Sequence, residues 1–157
     1  MAFKLINVGI AETAISRSPD VLRTILGSCV GICLYDPDKA IGGLAHIMLP
    51  TSKLGGASPK KYADSAIPIL VSDLAAQGTG KLIAKIIGGA MMFNLSENSL
   101  MGEIGKNNIN KVREVLSSMN IPIVADETGG NYGRTIDFYL ETGQVKVKSI
   151  GKSDKIL

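Results

Sequence analysis

The stretch that decides the fold is Gly27-Ser28-Cys29-Val30-Gly31-Ile32-Cys33-Leu34-Tyr35-Asp36-Pro37-Asp38-Lys39-Ala40-Ile41-Gly42-Gly43-Leu44-Ala45-His46-Ile47-Met48-Leu49. Two apolar, glycine-containing runs, 30–35 and 41–49, flank a short polar break. Asp at the first position and Pro at the second position of Asp36-Pro37-Asp38-Lys39 suit a type I turn. The pattern predicts a β-hairpin. If Asp36 and Lys39 face each other, the register carried back along both strands sets Cys29 opposite His46. Directly opposed residues share a face, with Cβ atoms about 4.5–5.5 Å apart. A plain type I turn splays a two-residue hairpin, so a bulge would shift this pairing.

Outward from the hairpin, residues 22–26 read as a preceding strand and 51–58 as a polar, glycine-rich loop. Ser58-Pro59 predicts a helix N-cap with Pro at the first helical position. Tyr62, Ala66, Leu70 and Leu74 recur at helical spacing, Pro68 falls inside that helix, and Gly78 and Gly80 end it. A buried strand at 82–87 runs into Gly88-Gly89-Ala90-Met91-Met92-Phe93. A second helix spans about 106–119, with Ile109, Val112, Leu116 and Met119 on one face. Residues 121–125 read as a strand, 127–134 as a glycine-rich loop, and 135–140 with 145–150 as a C-terminal hairpin. Hairpins outnumber βαβ units, which predicts an α+β fold: a mainly antiparallel sheet or sandwich flanked by two helices.

The 157 residues are expected to form one domain, 1–157, large enough to fold without a metal or disulfide staple. Hydrophobic residues make up 45% and charged residues 20%, an ordinary globular balance that argues against disorder. A net charge of +3 is too small to predict nucleic-acid binding. No stretch approaches the roughly 18 apolar residues of a membrane span, and residues 1–10 lack the features of a signal peptide. The expected location is the cytoplasm, where thiols stay reduced.

One His and two Cys restrict the chemistry sharply. Three ligands fall short of the four of a structural zinc site. On one strand, Cys29 and Cys33 would stand roughly 13 Å apart by Cα, too far to bridge. That spacing disfavours a redox thiol pair. A thiol beside an imidazole is instead an activated nucleophile, the thiolate being stabilised by the imidazolium. Gly27 and Ser28 fit that role, because glycine allows a sharp turn and the exposed N–H groups can form an oxyanion hole. The competing reading makes Cys29 a small buried hydrophobe and His46 a hydrogen-bonded core residue. Ser28 is a weaker nucleophile candidate, since alternation points it away from His46.

The chain resembles the CheD family of chemoreceptor glutamine deamidases. The resemblance spans nearly the whole sequence. It rests on Leu26-Gly27-Ser28-Cys29-Val30, Gly43-Leu44-Ala45-His46-Ile47-Met48-Leu49-Pro50 and Lys61-Tyr62-Ala63-Asp64. It continues through Gly88-Gly89-Ala90-Met91-Met92-Phe93 and Asp126-Glu127-Thr128-Gly129-Gly130-Asn131 to Gly133-Arg134. It implies deamidation of glutamine side chains on methyl-accepting chemotaxis receptors, with release of ammonia and no cofactor. It places the nucleophile on Cys29 and its partner on His46. It also implies a strand Thr as third member, for which Thr24 is the nearest residue. In an unbroken strand an odd separation would put Thr24 and Cys29 on opposite faces, so only an irregular turn at Gly27 could bring them together. The implied fold is similar to the catalytic domain of cytotoxic necrotizing factor toxins. The implied partner is the chemotaxis phosphatase CheC, for which Gly88, Gly89, Met91, Met92 and Phe93 form a candidate docking segment. A regulatory binding module working mainly through CheC is the alternative function.

Overall fold

The hairpin forms, but a four-residue turn sets its register. A computed structural model describes residues 2–52, 58–92 and 103–157. In it β4 (Val30–Asp36) pairs antiparallel with β5 (Ile41–Ile47), and Asp36 lies opposite Ile41. The Ala40 N–H donates to the Asp36 carbonyl at 2.9 Å. The Asp36 carboxylate accepts from the Asp38 and Lys39 N–H groups at 2.9 and 3.3 Å, and from Gly80 N–H at 2.7 Å. Ala40 closes the turn at φ 54. Pairing therefore shifts by two positions, and His46 faces Gly31 rather than Cys29. Because side chains alternate with period two, a shift of two leaves every residue on its expected face.

Both hairpin strands are buried along their whole length because they are central. Their sheet runs β2 (Thr13–Arg17), β5, β4, β6 (Ile83–Gly88), β7 (Ile123–Thr128). The second sheet runs β1 (Leu5–Asn7), β3 (Val21–Leu26), β8 (Arg134–Tyr139), β9 (Val145–Lys148), β10 (Lys155–Ile156). The β1–β3 and β6–β7 pairs are parallel and the others antiparallel.

Two cores follow from the alternation. Val30, Ile32, Leu34, Ala45 and Ile47 pack with Ala66, Ile67, Leu70 and Leu74 of α1 (Ala63–Ala76) and Val112 and Leu116 of α2 (Ile104–Ser118). Cys33, Tyr35 and Leu44 point the other way, into Leu22, Leu26, Ile136 and Phe138 of the second sheet. The layers are helices, sheet, sheet, in an α+β arrangement.

The sequence reading needs three further corrections. Ser58 makes no side-chain cap; Pro59–Lys61 form a 3-10 turn and α1 begins at Ala63, its first turns bracketed by Asp64 accepting from Ser52 N–H at 3.1 Å. Glu127 and Thr128 belong to β7, not to the following loop. The short β1, β2 and β10 carry too little periodicity to be read from sequence. Residues 53–57 of the glycine-rich loop lie outside the described residues.

Candidate active site

The chain leaves one sheet at Leu26 and enters the other at Val30, so Gly27-Ser28-Cys29 is the crossing between them. That crossing dissolves the parity objection to Thr24. On β3, Leu22, Thr24 and Leu26 are buried toward the space between the sheets, while Ile25 points out and is 72% exposed. His46 on β5 faces the same space from the opposite sheet and is buried. Thr24 and His46 meet there, with Oγ1 2.7 Å from Nδ1.

The tautomer of His46 follows from hydrogen-bond chemistry. Thr24 Oγ1 also lies 2.6 Å from the Val8 carbonyl. A carbonyl only accepts, so the single hydroxyl proton goes to Val8. The hydroxyl must then accept from Nδ1–H, which leaves Nε2 as the unprotonated nitrogen with an available lone pair. Nε2 is buried and makes no hydrogen bond among the described residues. The His46 backbone is held to the segment before β2, its N–H donating to the Glu12 carbonyl and its carbonyl accepting from Ala11 N–H.

Cys29 packs against the same inter-sheet cluster, two residues before the Gly31 that opposes His46. Positions related this way across a ladder stand about 7–8 Å apart by Cα. Cys29 precedes the first pair of that ladder, Val30 with Ile47, and so lies on the diagonal from His46, whose directly opposed residue, Gly31, has no side chain. Burial drives the imidazole down to about 4, against the opposing effect of Glu12, and burial raises the Cys29 thiol. At neutral pH the resting pair is therefore an uncharged thiol and an uncharged imidazole. Burial works against the thiolate–imidazolium pair expected from sequence.

The crossing is held by its carbonyls. Gly27 and Cys29 carbonyls accept from the N–H groups of Ala90 and Gly89 at 2.9 and 2.8 Å. Gly88 and Gly89 have φ of 108 and 69, in the region that favours glycine. A Cβ on Gly88 would collide with the Cys29 carbonyl, and one on Gly89 with Ile109. Both glycines are buried against the Gly27–Cys29 crossing. Met91 and Met92 are 50% and 44% exposed, and Met92 lies over Gly27. Phe93 lies outside the described residues.

The glycine-rich segment after β7 braces this exit. Gly129 N–H donates to the Gly88 carbonyl at 2.9 Å and Met91 N–H to the Gly130 carbonyl at 2.8 Å. Glu127 anchors the brace by binding buried Arg134, Tyr132 Oη at 2.8 Å and Lys155 Nζ at 3.0 Å. Burial alone would raise the Glu127 carboxyl, but these three partners outweigh it and hold the group down at about 2. A cleft of about 290 Å³ opens beside the brace, lined by Ile25, Met92, Tyr132, Arg134, Lys148 and Ile150.

Sequence reasoning missed Asn108. It is fully buried on α2 and its side chain reaches Ser28. The available signal was its spacing: Asn108, Val112 and Leu116 fall four apart, which places a polar residue on the buried stripe.

The family described as CheD chemotactic sensory transduction matches residues 48–149. A relative from Caldanaerobacter subterraneus subsp. tengcongensis, named probable chemoreceptor glutamine deamidase CheD, is 48% identical over 162 residues, covering 100% of both chains. A Clostridium botulinum protein of the same name is 48% identical over 160 residues, covering 99% of both.

Proposed function

The chain belongs to the CheD family, and from that premise we propose that it converts glutamine side chains of methyl-accepting chemotaxis receptors to glutamate through Cys29, His46 and Thr24. The observation that carries this reading is the Thr24–His46 contact at 2.7 Å, which fixes the proton on Nδ1 and leaves Nε2 free to act as a base.

Cys29 Sγ attacks the carboxamide carbon while His46 Nε2 takes the thiol proton. Starting from neutral partners avoids charging two buried groups before substrate arrives. The N–H groups of Ser28 and Cys29 hold the developing oxyanion. The Nε2–H then protonates the departing nitrogen, and ammonia leaves a thioester. His46 next takes a proton from water, hydroxide adds to the thioester, and the Cys29 sulfur departs and recovers the Nε2 proton, leaving a side-chain carboxyl that ionises to glutamate. Thr24 accepts from Nδ1–H throughout and steadies the imidazolium intermediate.

CheC is the proposed partner, docking at the exposed Met91 and Met92 beside the crossing, and the cytoplasm is the proposed compartment. Incubation with a receptor fragment should give a one-dalton gain per modified glutamine by mass spectrometry. Cys29→Ala should fold and give none. Full conversion by that variant would remove the nucleophile and the mechanism with it.

A further inference from the structure

We infer that Asn108 is a positioning residue for the reaction, holding the Ser28–Cys29 peptide so that the Cys29 N–H faces substrate. The inference rests on the deamidase reading above and deepens it.

Asn108 Nδ2 lies 3.1 Å from the Ser28 carbonyl and 3.0 Å from the Met48 carbonyl. Both neighbours are carbonyl oxygens and can only accept, so the nitrogen end must face them and both of its protons are used. Asn108 is fully buried, and its Oδ1 has no partner among the described residues. The side chain is therefore held in place by its two donors alone.

The consequence lies on the far side of the peptide. The Ser28–Cys29 bond is trans, and in a trans peptide C=O and N–H point in opposite directions. Pinning the Ser28 carbonyl toward α2 turns the Cys29 N–H away from α2. That N–H meets no acceptor among the described residues, whereas the carbonyls of Gly27, Ser28 and Cys29 are all engaged. An amide left open beside the nucleophile is what an oxyanion hole requires. The second donor goes to Met48, two residues beyond His46. One buried amide thus ties the peptide of the nucleophile to the end of the strand that carries the base.

The test separates oxyanion binding from general packing. Asn108→Leu keeps similar bulk and removes both donors; Asn108→Ala serves as a second variant. Deamidation of a receptor fragment should show kcat lowered about 10–100-fold, below the loss for a donor that touches the oxyanion itself, with KM within about twofold. Alkylation of Cys29 by iodoacetamide should stay within about twofold of wild type, because that displacement forms no oxyanion. A folded variant with unchanged kcat would overturn the inference, as would equal loss of alkylation and deamidation. Cys29→Ala run alongside keeps the two readings apart. If it is dead while Asn108→Leu is fully active, only the positioning role fails; if it deamidates, the deamidase mechanism fails. Hydrogen exchange on the wild type supplies a measurement independent of any variant's folding. The Asn108 side-chain amide should be protected and the Cys29 amide unprotected. The Cys29 amide should become protected when a receptor peptide bearing an aldehyde in place of the carboxamide adds to the thiol. A Cys29 amide already protected in the free protein would overturn the inference.

Discussion

Thr24 has a single hydroxyl proton to give. Its hydroxyl gives that proton to Val8 and so can offer His46 only a lone pair, which dictates the tautomer. Thr24→Val keeps the shape, removes the acceptor, and leaves Nδ1–H and the Val8 carbonyl buried and unpaired. That should cost about 1–3 kcal/mol of stability and lower kcat by about one to two orders of magnitude, less than the roughly 10²–10⁴-fold that loss of the base itself would cost. Thr24→Ser, which restores the hydroxyl, should recover most of both, and a Thr24→Val enzyme with wild-type kcat would show that the ring needs no orienter. The two thiols differ in a related way. Cys33 is buried and its thiol is driven strongly up by burial, while Cys29 is only partly buried and raised less. Iodoacetamide should label Cys29 first, with a rate still climbing beyond the ordinary thiol range of about pH 8.5. A Cys29 rate already saturated at pH 6 would mean a resting thiolate, contrary to the burial of both partners. Cys29 and His46 stood out as candidates in the sequence because each type is so scarce. The role of Thr24 was obscured, because parity along one strand says nothing once the strand changes sheets.

The hairpin shows what a turn can hide. Its two strands were legible from their apolar runs and its turn from Asp36 and Pro37, yet the register was off by two. The cause is Ala40, a non-glycine residue at positive φ, which lengthens the turn to four residues. Nothing in an alanine announces that conformation. The faces survived because the shift was even. At the neighbouring element, the Gly88-Gly89 exit from β6 read as a candidate docking segment, and its glycines fit the backbone against Cys29. Gly88→Ala would place a methyl against the Cys29 carbonyl at a φ of 108. The strain is about 1–3 kcal/mol, and relief would move the crossing that carries Cys29. We expect a lower Tm and a deamidation rate that falls by more than the loss of folded protein explains. A Gly88→Ala protein matching wild type in both would show that this exit does not set the crossing.

For the molecule as a whole, burial of the site between two sheets couples its chemistry to acid stability. The sandwich itself was legible as α+β, but which strands share a sheet was not, since β3 and β4 are neighbours in sequence and members of different sheets. That separation places His46 in the interior, where its imidazole titrates at about 4 instead of the ordinary 6.5. Between those values the unfolded chain takes up a proton that the folded chain refuses. Stability from this group is complete above about pH 6.5 and is lost as pH falls toward 4, an amount on the order of 3 kcal/mol. Glu127 acts in the same direction lower down. Held at about 2 against an ordinary 4.5, its carboxylate contributes stability that is complete above 4.5 and lost as pH falls toward 2. Denaturant unfolding at intervals from pH 7 to pH 2.5 should therefore show two successive declines. His46→Asn cannot titrate in the upper window, so it should flatten the decline between pH 6.5 and 4.5 while leaving the lower one in place. A wild-type stability that stays level from pH 7 to 4.5 would mean that the imidazole is charged in the folded protein. The neutral starting pair would then have to be abandoned.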